Sequence, residues 1–290
     1  EDLSGVAAIA SGAIHSLAIV PTCLGQPATM AGSAAGETIT GTAGVDVIHG
    51  SGGNDVIDGL GGADIICGGD GNDTITGGAG DDQLDGGKGR DTAAFPGPAV
   101  TVNLVAGTAV GGTDDDSLVS IENASGSSSA DTLIGNGAGN RLEGLGGADN
   151  LKGGGGKDIL LGGAGKDTLE GGPAADTLVG GGAVDTASYP GGSALTIDLG
   201  AGTNNQGDTL SGIENVSGSN AGDNITGSNA VNRLSGLGGG DTIIGGNGND
   251  TLLGGDGADN LSGGAGADSC AGGLGNDSAD GTCEATSSVP

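Results

Sequence analysis

The sequence predicts an all-β protein wound as a parallel β-solenoid, and three observations predict it. Aspartate recurs every nine residues over long stretches, an aliphatic residue stands two places after each, and glycine fills the turn before it. Between Gly68 and Phe95, Asp73, Asp82 and Asp91 lie nine apart, followed at the aliphatic place by Ile75, Leu84 and Ala93. A short fixed period marks a chain whose units stack, because no single unit can bury its own apolar side.

Numbered from its first glycine, nearly every unit carries an acid at place six and an aliphatic at place eight. The first block, residues 32–94, has seven units with Glu37, Asp46, Asp55, Asp64, Asp73, Asp82 and Asp91 at place six. Place eight there reads Ile39, Ile48, Ile57, Ile66, Ile75, Leu84 and Ala93. The second block, residues 126–188, gives Asp131, Asn140, Asp149, Asp158, Asp167, Asp176 and Asp185, with leucine at every place eight except Ala187. The third block, residues 218–280, gives Asp223, Asn232, Asp241, Asp250, Asp259, Asp268 and Asp277. In all, 18 of 21 sixth places are Asp and 17 of 21 eighth places are Ile or Leu, which excludes coincidence.

The blocks repeat in turn at about ninety residues. Inserted segments 95–125 and 189–217 separate them, and each is expected to form its own coil, with "VTVNL" and "LTIDL" alternating like strands. Phe95 and Tyr189, the only aromatic residues, fall at the same place in this larger repeat and are expected to pack against the end of a block.

Composition narrows the function classes. With 71 glycines and two aromatics the chain cannot build an ordinary globular core. The glycines do not recur every third residue, which excludes collagen, and the regular placement of Ile and Leu excludes simple disorder. The formal charge of −30, from 37 acids against seven bases, disfavours nucleic acid and anionic membrane as partners and favours cations. No run reaches the roughly 18 apolar residues of a membrane span. Val6–Val20 is small and apolar without a basic segment before it, so the chain reads as mature, any signal peptide gone. The sequence holds no G-x-S-x-G elbow and no H-E-x-x-H, and His15 and His49 are its only histidines, so an enzyme is not expected.

The unit G-G-x-G-x-D-x-U-x, U being a large aliphatic, resembles the RTX (hemolysin-type) calcium-binding repeat; "GGDGNDTIT" from Gly68 and "GGNGNDTLL" from Gly245 match at every defined place. The resemblance implies a right-handed parallel β-roll in which six residues turn, three form a strand, and two units complete a coil. It also implies Ca²⁺ between turns stacked on one edge, held by the place-six aspartates and by backbone carbonyls. The physical logic agrees. Stacking sets Asp55 over Asp73 and Asp64 over Asp82, eighteen residues apart, and rows of carboxylates repel unless a cation lies between them. Calcium is hard, takes six to eight oxygens and tolerates irregular geometry. Without a metal, the aspartates would serve only as turn-formers.

The expected ligands are Asp46, Asp55, Asp64, Asp73, Asp82 and Asp91; Asp131, Asp149, Asp158, Asp167, Asp176 and Asp185; and Asp223, Asp241, Asp250, Asp259, Asp268 and Asp277. Seven units per block give five same-edge pairs, hence about 15 Ca²⁺, whose charge would balance the −30 of the chain. Glu37 is expected to cap the roll. The turns of Asn140 and Asn232 are expected to bind weakly, and Pro173 weakens the case for Asp176.

Four cysteines suggest disulfides and an oxidising compartment. Cys270–Cys283 would lock the last coil. Met30 falls in register as an eighth residue, so coiling is expected to start near Cys23, and a regular coil would hold Cys23 about 10 Å from Cys67, beyond disulfide reach unless the N-terminal segment folds back. Residues 1–31 form a cap or assembly segment, with Val6, Ile9, Ala13 and Leu17 at helical spacing or else in a strand, and residues 281–290 form a C-terminal cap. The functional expectation is a secreted calcium-stabilised roll with a structural or surface-assembly role, able to associate with itself head to tail. The alternative is a calcium-folding module of a larger secreted enzyme or adhesin.

Overall fold

The structure is a computed structural model that describes residues 20–112 and 114–288. They fall into two compact units, one ending at Ser128 and one beginning at Ser129. Among the described residues there is no helix, and in each unit the repeats wind as a parallel β-solenoid.

Two nine-residue units make one coil and place one strand in each of two sheets. In the first unit Val47–Gly52, Ile65–Asp70 and Gln83–Lys88 stack in parallel, with Ile48 opposite Ile66 and Ile66 opposite Leu84. Thr38–Thr40, Val56–Asp58, Thr74–Thr76 and Thr92–Ala94 stack in the other sheet and align Ile39, Ile57, Ile75 and Ala93. In the second unit Leu133, Leu151, Leu169 and Ala187 form one ladder, and Leu142, Leu160 and Leu178 another. The same unit then carries Ile225, Ile243 and Leu261 in register, with Leu234, Leu252 and Cys270 on the other sheet.

Strands this short form because each contributes one inward aliphatic to a ladder. Ile48, Ile66, Leu84, Leu151 and Leu160 are wholly buried, and each such side chain stabilises by about 1.5–3 kcal/mol. The flanking residues at places seven and nine point outward, as the period of two along a strand requires.

The inserts depart from the expectation of separate coils. In the first, Val100–Asn103, Thr108–Gly111 and Asp114–Val119 form an antiparallel meander. Its last strand lies parallel on Gln83–Lys88, with Leu118 opposite Leu84, and Asn123–Ser125 lies parallel on Thr92–Ala94. The insert therefore continues the solenoid with part of its length and forms a hairpin with the remainder. In the second unit Thr209–Ser211 and Asn215–Ser217 continue the stack, while Thr196–Asp198 pairs antiparallel with Thr203–Asn204. "VTVNL" and "LTIDL" do become strands, with Val100, Val102, Leu195 and Ile197 facing inward. Phe95 and Tyr189 hold equivalent places, each donating its N–H to a serine carbonyl (Ser125 and Ser217, 2.9 Å) and each lining a cavity of about 320 Å³.

Parallel coiling begins at Met30–Ala31, where Met30 sits opposite Ile48, and not near Cys23. Thr22–Cys23 instead pairs antiparallel with Gln26–Pro27, and this hairpin folds back against Val47–Gly52 and Ile65–Asp70. The fold-back brings Cys23 to a Cα distance of 5.5 Å from Cys67, and the two are disulfide-bonded. His49 pairs with Cys67 across neighbouring coils and is half-buried, its Nδ1 without a hydrogen-bond partner. Cys270 and Cys283 are bonded at a Cα distance of 5.7 Å, and Cys283–Ser288 stacks on Asp268–Leu274. His15 and the helix-or-strand expectation for Val6–Val20 lie outside the described residues, save Val20.

Leu160→Ala, which empties a wholly buried place between Leu142 and Leu178, is expected to cost about 2–5 kcal/mol. Val45→Ala, at a residue 70% exposed, should stay within about 0.5 kcal/mol. Urea unfolding of the two variants beside the parent chain checks both.

Candidate metal centre

The six-residue turns are tied to one another by their aspartates. In the first unit Glu37 N–H donates to Asp55 Oδ1, Asp55 N–H to Asp73 Oδ1 and Asp73 N–H to Asp91 Oδ1, each at 2.8 Å. The other edge runs Asp46 to Asp64 to Asp82 in the same way. In the second unit the chains are Asp131–Asp149–Asp167–Asp185, Asn140–Asp158–Asp176, Asp223–Asp241–Asp259–Asp277 and Asn232–Asp250–Asp268. Each carboxylate thus reaches back eighteen residues to the turn one coil earlier. Apart from half-buried Asp277, all eighteen expected ligands are buried.

This use of Oδ1 leaves the second oxygen over. Oδ2 of Asp55, Asp64, Asp73, Asp82 and Asp91 is buried without a hydrogen-bond partner, and so is that of Asp149, Asp167, Asp176, Asp185, Asp241, Asp250, Asp259 and Asp268. An ionised oxygen with no partner away from water is costly, and its repetition along one edge multiplies the cost through mutual repulsion. Each such oxygen lies over the first glycine of its own turn, so that a Cβ at Gly68 or Gly77 would collide with Asp73 or Asp82. Main-chain oxygens border the same space: a Cβ at Gly59 or Gly68 would also strike the carbonyl oxygen of Gly77 or Gly86, one coil later.

Not all the expected ligands are alike. Asp46 Oδ2 already accepts from the N–H and hydroxyl of Thr42, at 2.7 and 2.9 Å. Ser219 gives Asp223 the same pair of donors, N–H to Oδ2 and hydroxyl to Oδ1. Glu37 is held likewise by Ser33, and Asn140 and Asn232 accept the N–H of Asn136 and Ser228.

The donor set decides what could fill the remaining turns. Among the described residues no three of His, Cys, Asp and Glu converge to hold a metal. A cation here would have one or two carboxylates and otherwise carbonyl oxygens, all hard and neutral or anionic, which suits Ca²⁺ and offers nothing to a softer metal. The family model of the RTX calcium-binding nonapeptide repeat matches residues 32–66, 61–93, 125–160, 152–187, 217–252 and 244–279, well over half of the chain. The protein belongs to this RTX family. A search of curated proteins returns no match.

Four residues in the RTX solenoid act as place-six residues outside the matched repeats. Asp82 and Asp91 donate their N–H groups to Asp116 Oδ1 and Glu122 Oε2, and Asp176 and Asp185 donate theirs to Asp208 Oδ1 and Glu214 Oε2. The nine-residue count broke at the inserts and hid them, but a signal was present: "DSL" and "DTL" keep the acid two places before leucine, and "IEN" occurs in both inserts.

Without a cation the buried carboxylates titrate high. Asp82 is raised to about 7, and Asp91, Asp149, Asp176 and Asp241 to about 6, with Asp55, Asp64, Asp73, Asp167, Asp185, Asp250 and Asp259 also raised. Burial is the main cause, partly offset by the backbone N–H each accepts; carboxylates one coil away, such as Asp131 and Asp167 around Asp149, add to the rise for most of them. A carboxyl whose folded pKa exceeds its unfolded value stabilises the fold below the unfolded pKa and loses that contribution as pH rises through the folded one. The ion-free solenoid is therefore weakest at pH above about 7 and regains stability on acidification. Calcium-stripped protein is expected to show more strand by circular dichroism at pH 5 than at pH 7.5, with the difference abolished by millimolar calcium. A strand signal that falls on acidification contradicts this.

Proposed function

We propose that this RTX protein is a secreted calcium-binding β-roll with a structural or surface-assembly role, which folds on binding calcium and associates end to end. The observation that carries the reading is the row of buried aspartate oxygens without partners, repeated at eighteen-residue spacing beside backbone carbonyls. Bound there, Ca²⁺ supplies positive charge between stacked turns and turns repulsion into cross-links. The chain's own residues do the rest: Oδ1 of each aspartate sets the spacing of the coils, the first glycine leaves room for the carboxylate, and the aliphatic ladders keep water out.

Filling such turns takes about 15 Ca²⁺. Because these ligands come together only when coils stack, binding energy is folding energy. Affinity in the range of extracellular calcium modules, about 10⁻⁴ to 10⁻³ M, would leave the chain unfolded in a cytosol and folded outside a cell. Two disulfides agree with an oxidising compartment. No helix of the described residues is long and apolar enough to cross a membrane. The matched family model is that of a calcium-binding repeat, and the proposed role is structural. For self-association, Thr38–Thr40 and Ser278–Ala279 each pair on one side only among the described residues and offer strand edges to a second copy.

Circular dichroism in chelator is expected to show loss of strand, recovered in millimolar calcium; an unchanged spectrum overturns the reading. Asp73→Ala or Asp250→Ala should raise the calcium midpoint and lower cooperativity, whereas Asn140→Ala should do so far less. For assembly, sedimentation at high protein concentration should give polymers with calcium and none without it; a monomer in both leaves a self-contained roll.

A further inference from the structure

The partners of the sixth residue do not follow from its identity. They follow from the backbone of the turn. In fifteen of the twenty-one turns the second and fourth residues both have positive φ, as in Ser51 (+80°) with Gly53 (+97°) and Leu237 (+76°) with Gly239 (+104°). In the other six neither does, and these six are the first two turns of each block. Their second residues are Ser33, Thr42, Ser127, Asn136, Ser219 and Ser228, in place of glycine.

The two conformations do different things with one N–H. In five of the six turns the second residue directs its N–H at the sixth side chain, at 2.7 Å for Ser33 to Glu37, Thr42 to Asp46, Asn136 to Asn140, Ser219 to Asp223 and Ser228 to Asn232. Such a turn closes on itself, in the manner of the short polar side chains that stabilise turns elsewhere. With φ positive at the second residue, Asp55, Asp64, Asp149 and Asp241 keep an unpartnered Oδ2, although Ser51, Leu60, Leu145 and Leu237 there are not glycines. Holding a non-glycine residue left-handed costs about 1–2 kcal/mol, so these turns are kept open against the chain's own preference. Ser51 shows that the conformation matters and not the hydroxyl alone: its Oγ donates to the Gly32 carbonyl instead.

A second, independent regularity follows the same division. Every sixth residue that is not aspartate (Glu37, Asn140 and Asn232) falls in a closed turn, and all fifteen open turns keep aspartate. A turn that supplies its own donors has no use for a second charge. Within the second insert the device recurs in another form, with the Asn204 side-chain amide donating to Asp208 Oδ2 at 2.8 Å.

Resting on calcium as the ligand of the open turns, we propose that the backbone at the second place selects whether a turn takes an ion: a left-handed residue there, glycine in most turns, makes a calcium site, and a polar residue without positive φ, whose N–H closes on the sixth side chain, makes a metal-free turn. Asp46 and Asp223 are then turn acceptors and not ligands, and each block is a metal-free coil followed by five calcium turns.

The test is the number of ions held by the full chain, counted by native mass spectrometry in calcium. Thr42→Gly converts "GTAGVD" to "GGAGVD", which differs from the open turn "GGAGAD" of residues 263–268 only at Val45, and is expected to add one ion. Asp46→Asn and Asp223→Asn, which copy the Asn140 and Asn232 turns, are expected to leave the count unchanged. Asp250→Asn, in an open turn, is the control and should lower it. If the control loses no ion, calcium in the open turns is wrong. If it does and D223N or D46N also loses one, or T42G folds and gains none, the selection by the second residue is wrong; should T42G not fold, the two asparagine variants decide.

Discussion

One contact sets the architecture: a backbone N–H in one coil donating to an aspartate oxygen from the next. It fixes the spacing and register of coils, because Asp73 can meet the Asp55 N–H only if Thr74 also reaches the Asp55 carbonyl, at 2.8 Å, and Ile75 lies opposite Ile57. The same contact uses one carboxylate oxygen and buries the other. A neutral side chain changes the contact: the Asn232 amide donates to the Glu214 carbonyl one coil earlier, while its oxygen accepts the Ser228 N–H of its own turn. Retaining aspartate in every open turn adds a charge that only a cation can use.

From that contact the odd composition follows. The carboxylate needs space over the first glycine of its turn, and at Gly77 even a methyl group would strike Asp82. The left-handed backbone at the second and fourth places favours glycine in most turns. With the turn so committed, only the strand residues are left to make a core, and one aliphatic in nine cannot hold a chain of charge −30 together unaided. Aromatic residues appear only where a block ends, at Phe95 and Tyr189, and each disulfide ties a segment flanking the array, through Cys23 or Cys283, to a coil. On the proposed reading calcium and the aliphatic ladders are complementary: the ions would join turns, and the ladders join strands.

The period of nine makes the strands, the ladders and the buried acids legible in the residues alone, since Ile48 through Leu84 and Asp55 through Asp91 occupy the places their spacing assigns. The inserts are less legible because they break the count while keeping the contact, as Asp116 and Glu122 do. The hairpin of Cys23 is hidden because its pairing with Gln26 is local and antiparallel, with no periodic signal, and distance along an ideal coil argues against the Cys23–Cys67 bond. The division into open and closed turns lies in the backbone of the second residue and only partly in its identity. It is unreadable without φ, because Ser51 and Ser219 are the same residue in opposite conformations.

The central claim is that cations occupy the spaces beside the unpartnered aspartate oxygens. Anomalous X-ray scattering from a calcium-grown crystal locates them directly. The account predicts calcium peaks in contact with Oδ2 of such residues as Asp73, Asp167 and Asp250, on both edges of the solenoid, and none beside Asp46 or Asp223. Ordered turns with those oxygens bonded to water or to protein donors, and no calcium peak, would contradict it.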